Sequence, residues 1–266
     1  MNLLAALDVG PEGREVLAAA RVVAHVSGWP VRVIHVKSAD AEPSLKLPVR
    51  LTTNTPVDEV VGDAAEAILA SRGDDDVLAF GLRHAGEVGV GPVAAALLAR
   101  APRPLLVVRP GMRKIGSLRR IVVPLEGSPS SSEGMRQTEE AFCGRGREIV
   151  ALHVSTSDTP DEPGSLPAPR MVDQEQYDWS SWHEEFTMRF ATCPAGGKHR
   201  TVVRVGDPAE AIIGEASRLN ADLLVLTWTG EFVEGRSLLV RALLDRAPCP
   251  LLLVPASTPE QAPPPH

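Results

Sequence analysis

The residues of this chain that could do chemistry are glycines, acids and histidines set at the ends of apolar runs. Gly81, Gly86, Gly89 and Gly91 crowd into one short stretch after the apolar run Val77 to Phe80. Glycines so placed let backbone amides approach an anion, best where the last of them opens a helix. The matching stretch after Leu223 to Leu226 holds Gly230 and Ser237. Asp8 and Glu126 end two other apolar runs, and His35-Val36 and His153-Val154 end a further pair. One histidine in each half at a strand end reads as structural. Asp63, with Glu66 three residues on, and Asp207, with Glu210, have capping-box spacing and read as helix N-caps. Ser128, Ser130, Ser131 and Ser132 read as caps of the helix that follows them.

Other chemistries fail on spacing. The chain has no phosphate loop of the Gly-x-x-x-x-Gly-Lys-Ser/Thr kind, no His-Glu-x-x-His and no Gly-x-Ser-x-Gly. Gly86-x-x-Gly89-x-Gly91 reverses the dinucleotide-binding spacing. Cys143, Cys193 and Cys249 lack CxxC spacing, so no metal site is expected; they fit a reducing cytoplasm, with Cys249 a small buried hydrophobe.

The elements that must position these residues come as a repeat. Arg100-Ala-Pro-Arg-Pro-Leu-Leu-Val-Val108 recurs as Arg246-Ala-Pro-Cys-Pro-Leu-Leu-Leu-Val254. Each copy closes a unit of strand, loop, helix and strand, because the prolines end the helix and pre-set an extended entry. The Leu and Val runs lack polar alternation, as do strands buried on both faces. The spacing predicts a strand over 3–8, a helix over Pro11 to Ser27, a strand over Val31 to Val36 and an extended run over Val49 to Thr53 at an edge or on an irregular connection. A helix follows from Asp63 to about Ser71. The pattern restarts with Ile121 to Glu126 and Ala151 to Val154, both 118 residues on, whereas the Val-Gly-Asp element recurs 144 residues on. The second half therefore carries 26 more residues between its second and third strands. Within that insertion Trp179, Trp182, Phe186 and Phe190 form one helical stripe over 173–190. It reads as the crossover helix that the first half lacks, or as a partner-binding face.

The boundaries drawn are 1–113, a shortened domain; 118–256, a second domain; and 257–266, a proline-rich tail. A net charge of -7 argues against a nucleic-acid partner. The apolar run at the N-terminus is stopped by Asp8 and reads as a strand, not a signal peptide. No apolar run approaches the roughly 20 residues of a membrane span.

The strand ending in Asp8 (Glu126), the His-Val pairs, the Val-Gly-Asp helix starts and Ala-Pro-x-Pro before the last strand together resemble the universal stress protein family in its tandem form, from Leu3 to Pro255. The resemblance implies an α/β fold of two tandem doubly wound domains, adenine-nucleotide alpha-hydrolase-like. Each would have a mostly parallel five-stranded sheet in the order 3-2-1-4-5, with a ligand cleft at the ends of strands 1 and 4. It implies nucleotide contacts at Asp8, Val36, Gly81, Gly89 and Gly91 in the first half, and at Glu126, Val154, Gly230 and Ser237 in a degenerate second half. Nucleotide-binding members carry Gly-x-x-Gly, nine residues, then Gly-Ser or Gly-Thr. Here Gly81 aligns with Thr227 and His84 with Gly230, so each half keeps one of the two glycines. The closing pair becomes Gly91-Pro92 and Ser237-Leu238, and Pro92 removes an amide donor. The expectation is a cytoplasmic, non-catalytic, stress-linked binding protein with degenerate clefts. Its halves would pair as a pseudo-dimer through Leu105 to Val108 and Leu251 to Val254, with a homodimer left open. Two alternatives stay open: a sensor of AMP, adenosine or ATP with one live site in the first half, and a scaffold that binds a protein partner through helix 173–190.

Overall fold

Runs of Leu and Val that are apolar at every position must bury both faces, and here they do so in one sheet. The computed structural model of the protein describes residues 1–8, 10–37, 55–73, 76–82, 90–100, 104–125, 129–155, 196–228 and 236–255. The first half contributes β1 (Leu3–Ala6), β2 (Val31–Lys37), β3 (Val57–Val61), β4 (Val77–Gly81) and β5 (Leu105–Val108). The second contributes β6 (Arg120–Leu125), β7 (Glu148–Ser155), β8 (Lys198–Val205), β9 (Leu223–Trp228) and β10 (Leu251–Pro255). They form a single ten-stranded sheet in the order β3-β2-β1-β4-β5-β10-β9-β6-β7-β8. Each half thus runs 3-2-1-4-5, and all pairings within a half are parallel.

The halves join by the repeated strands themselves. β5 and β10 pair antiparallel, with Leu252 opposite Leu106, Leu251 opposite Val107 and Leu253 opposite Leu105. Leu106 and Leu252 are equivalent residues of the repeat, so a pseudo-twofold axis passes between them. The pairing removes what would be an open strand edge from each half.

The helices cover both faces. On one face, α1 (Pro11–Ser27) and α4 (Pro129–Phe142) pack on the alternate strand residues Leu3, Ala5, Leu106, Val123, Val225 and Leu252. Trp29, just past α1, meets Phe142 of α4 edge-on at 5.8 Å, so this layer is continuous across the halves. On the other face, α2 (Ala64–Ser71), α3 (Pro92–Arg100), α5 (Pro208–Arg218) and α6 (Arg236–Arg246) cover Leu4, Leu105, Val122 and Leu251.

Two buried acids fix how the first strand of each half enters the sheet. Asp76 accepts from the backbone N–H of Asn2 at 3.3 Å and from its side-chain amide at 2.9 Å. At the equivalent place Asp222 accepts from the backbone of Arg119 and Arg120 at 2.8 and 2.9 Å. Asp222 also takes the Arg113 guanidinium at 2.6 Å, and Arg113 N–H bonds Pro248 O at 2.9 Å. The connector between the halves is therefore hydrogen-bonded to the second half along its length.

Several local expectations are corrected. The third strand is Val57–Val61, an edge strand parallel to β2, whereas the extended run expected at 49–53 lies outside the described residues. Its acids are matched across the strand pair, Asp58 by Arg32 at 2.7 Å and Glu59 by Lys37 at 2.6 Å. β1 closes at Ala6, two residues before Asp8, and β7 opens at Glu148, three before Ala151. Ser130, Ser131 and Ser132 lie inside α4, which starts at Pro129, rather than capping it; Ser128 is outside the described residues. Cys143 is disulfide-bonded, where the cysteine pattern suggested reduced thiols, and its partner lies outside the described residues. Cys249 is fully buried, and burial pushes its thiol up to about 12. The aromatic helix expected at 173–190 and the tail at 257–266 also lie outside the described residues.

Candidate functional site

A crevice opens where the strand order reverses, because neighbouring strands there lead to helices on opposite faces. In the second half the ladder between β6 and β9 ends at Val122 opposite Leu224, although β6 continues to Leu125 and β9 to Trp228. Pro124, with no N–H to donate, sits in the end of β6 that pairs with β7 but not with β9. Between those two ends lies a cavity of about 160 Å³. Its wall is made by Leu125, Leu152, Val154, Ile212, Leu226, Trp228 and Leu239, with hydroxyl groups from Ser131 and Thr227. Among the described lining residues none is charged.

The histidines hold this end of the sheet. His153 Nδ1 lies 3.0 Å from Leu125 O, and His35 Nδ1 lies 3.0 Å from Leu7 O. Each ring thus bonds a backbone carbonyl immediately before Glu126 or Asp8, which is the structural role expected of them. Asp63 accepts from Glu66 N–H at 3.0 Å and Asp207 from Glu210 N–H at 2.9 Å, so both are N-caps. Neither glutamate closes a reciprocal box. Glu66 instead pairs with Arg100 of α3, and Glu210 with Arg246 of α6, tying the two helices of that layer together in each half.

Of the nine candidate contacts, Val154 lines the cavity. Asp8 and Val36 lie half-buried at the ends of β1 and β2. Gly91 opens α3, accepting from Ala95 N–H at 2.8 Å. Gly89, Glu126 and Gly230 lie outside the described residues, as does the Ser237 side chain.

Gly81 has a packing reason for its missing side chain. A Cβ there would stand 3.2 Å from Val16 Cγ2 of α1. In the second half Thr227 replaces Gly81, and Gly134 of α4 replaces Val16, 118 residues on. A Cβ on Gly134 would stand 2.6 Å from Thr227 Oγ1. The small residue has moved from the strand to the helix, so the contact is conserved in size while its sides are exchanged. The wall residue that sequence reasoning passed over is Trp228, buried at 5% exposure. Its only sequence signal was its place two residues after the apolar run Leu223 to Leu226.

A second cavity, of about 240 Å³, lies outside this crevice, between α1 and the connector at Met112 and Ile115. A third site of unusual electrostatics is also remote from the crevice. Glu139 of α4 and His199 of β8 approach to 3.4 Å, with side chains 10% and 12% exposed. Burial pushes the Glu139 carboxyl up to about 7 and holds the His199 ring below its ordinary value. A carboxyl raised in the folded state contributes stability below its unfolded pKa and loses it as pH rises through the folded one. Glu139→Gln should therefore match the native chain near pH 4.5 and exceed its stability by about 2–3 kcal/mol at pH 8. Urea unfolding at the two pH values checks this; equal differences at both would contradict it.

Residues 117–255 match the model of the universal stress protein family. The chain belongs to the universal stress protein family. A universal stress protein from Archaeoglobus fulgidus DSM 4304 is similar over 96% of this chain and 97% of its own, at 15% identity and a TM-score of 0.66. A protein of unknown function from Pseudomonas aeruginosa PAO1 is similar over 96% and 92%, at 12% identity and a TM-score of 0.60. Both likenesses concern the fold, and both extend through the two halves. A universal stress protein family protein from Arabidopsis thaliana, crystallised with AMP bound, matches 55% of this chain and 96% of its own, at 18% identity and a TM-score of 0.38. No curated protein matches the chain. Among the described residues no helix is long and apolar enough to cross a membrane.

Proposed function

We propose that this chain is a tandem universal stress protein that works by binding rather than catalysis, in stress-linked regulation, and that its nucleotide clefts have lost their phosphate sites. The observation that carries the reading is the second-half cavity. A nucleotide brings at least one phosphate charge, and a buried charge needs a paired partner or several donors. The described wall offers apolar side chains and two hydroxyls, and a volume below the roughly 300–1,000 Å³ of common ligand pockets. In the first half Gly91 is followed by Pro92, so the first helical position of α3 has no amide to give an anion. Catalysis would need an activated nucleophile or a paired acid and base at the crevice. The strand-end histidines are bonded to backbone carbonyls instead.

The domain boundaries that go with this reading are 1–113 and 118–256, with each unit completing the other's last strand. Should one half retain adenine-nucleotide binding, the reading assigns it to the first, through Asp8. The test is mass spectrometry of the native protein after gentle purification, followed by denaturation and analysis of the released small molecules. The expected result is no stoichiometric AMP, ADP or ATP. One equivalent of any of them, lost in Asp8→Ala, would overturn the reading in favour of a nucleotide sensor.

A further inference from the structure

The described wall of the second-half cavity is apolar enough to suit a ligand of its own. Leu125, Val154, Ile212, Leu226, Trp228 and Leu239 face one space of about 160 Å³. An enclosed apolar cavity of roughly 150 Å³ accepts a molecule the size of benzene, because a ring recovers dispersion contacts there; this pocket, open on one side, offers a comparable volume. The Trp228 indole supplies an aromatic wall for an edge-to-face or offset contact. Among the described lining residues Ser131 and Thr227 carry the hydroxyls, and Thr227 can serve one polar substituent.

Resting on the reading that this cleft has lost its phosphate site, we propose that it binds a neutral one-ring hydrophobe carrying at most one hydrogen-bonding group. The ring lies against Trp228, between the separated ends of β6 and β9. The same wall that excludes a phosphate favours such a ligand, since binding it removes apolar surface from water and strands no charge. Occupancy would bridge α5 and α6 to the sheet, through Ile212 and Leu239, and so couple ligand to the stability of the second half.

The test titrates the full-length chain with toluene, phenol and AMP, followed by ligand-observed NMR and by the thermal unfolding midpoint. Two cavity-filling variants, Val154→Phe and Leu239→Phe, run in parallel. Both positions are half-buried, so at least one should fold. The expected result is saturable binding of toluene and phenol with submillimolar Kd, a raised midpoint, and at least tenfold weaker binding in each folded variant. AMP should give no response. Silence of toluene and phenol up to their solubility would overturn the inference while leaving the loss of nucleotide binding intact. Binding unchanged in both variants would place the ligand elsewhere and equally overturn it. AMP binding that Val154→Phe abolishes would overturn both the inference and the reading beneath it.

Discussion

Leu106→Asp, or equally Leu252→Asp, should abolish the cooperative fold. The two residues face each other across the β5–β10 pairing, 0% and 2% exposed, on the pseudo-twofold axis of the sheet. A carboxylate there would sit in the apolar layer beneath α1 and α4, flanked in register by Ala79 and Leu252 at position 106, or by Leu106 and Val225 at position 252. An unpaired buried charge costs at least about 3–5 kcal/mol, a large part of the roughly 5–15 kcal/mol by which a domain is stable. The same chemical change at Val61, 66% exposed on the edge strand, should fall within about 0.5 kcal/mol of the native value. Circular dichroism on heating and a sedimentation measurement would follow both. An unfolding midpoint of Leu106→Asp within a few degrees of native, with unchanged hydrodynamic radius, would contradict the continuous ten-stranded sheet.

The second large effect concerns the exchanged glycine. Gly134→Val should destabilise the chain by about 1–3 kcal/mol through overpacking, because its Cβ would fall 2.6 Å from Thr227 Oγ1 and 3.3 Å from Val254 Cγ2. Adding Thr227→Gly should recover part of the loss, since the pair then reproduces the arrangement of Val16 and Gly81 in the first half. The double-mutant cycle should return a favourable coupling of about 1 kcal/mol or more. Additive effects would mean that the two positions do not share one contact, and that Gly81 is not explained by packing. The distinction bears on function, because a glycine held by helix packing is not a relic of a phosphate loop.

Much of this was legible in the sequence for a single physical reason: the chain states its fold twice. The matching spacing of Leu7 and Leu125, of His35 and His153, and of the two Ala-Pro-x-Pro segments marks the equivalent strands. That β5 and β10 would meet was implied by the family resemblance, and their antiparallel direction follows from the twofold relation of the halves. What was not legible depended on partners distant along the chain. β3 carries Asp58 and Glu59 between its valines, and as an edge strand parallel to β2 it pairs them diagonally with Arg32 and Lys37. The second half of the expected capping box fails because Glu66 and Glu210 are drawn to arginines on the next helix. The apolar cavity is assembled from six elements, and of its described wall only Val154 and Thr227 stand at positions of the family's nucleotide motif. Trp228 in particular carries no motif at all.

Calorimetric titration decides whether these clefts still hold a nucleotide. ATP, AMP and adenosine would each be added to the full chain, with and without magnesium. The account predicts no binding heat from any of the three. Heat that saturates near one equivalent and vanishes in Asp8→Ala would contradict it, and would show instead a live site in the first half.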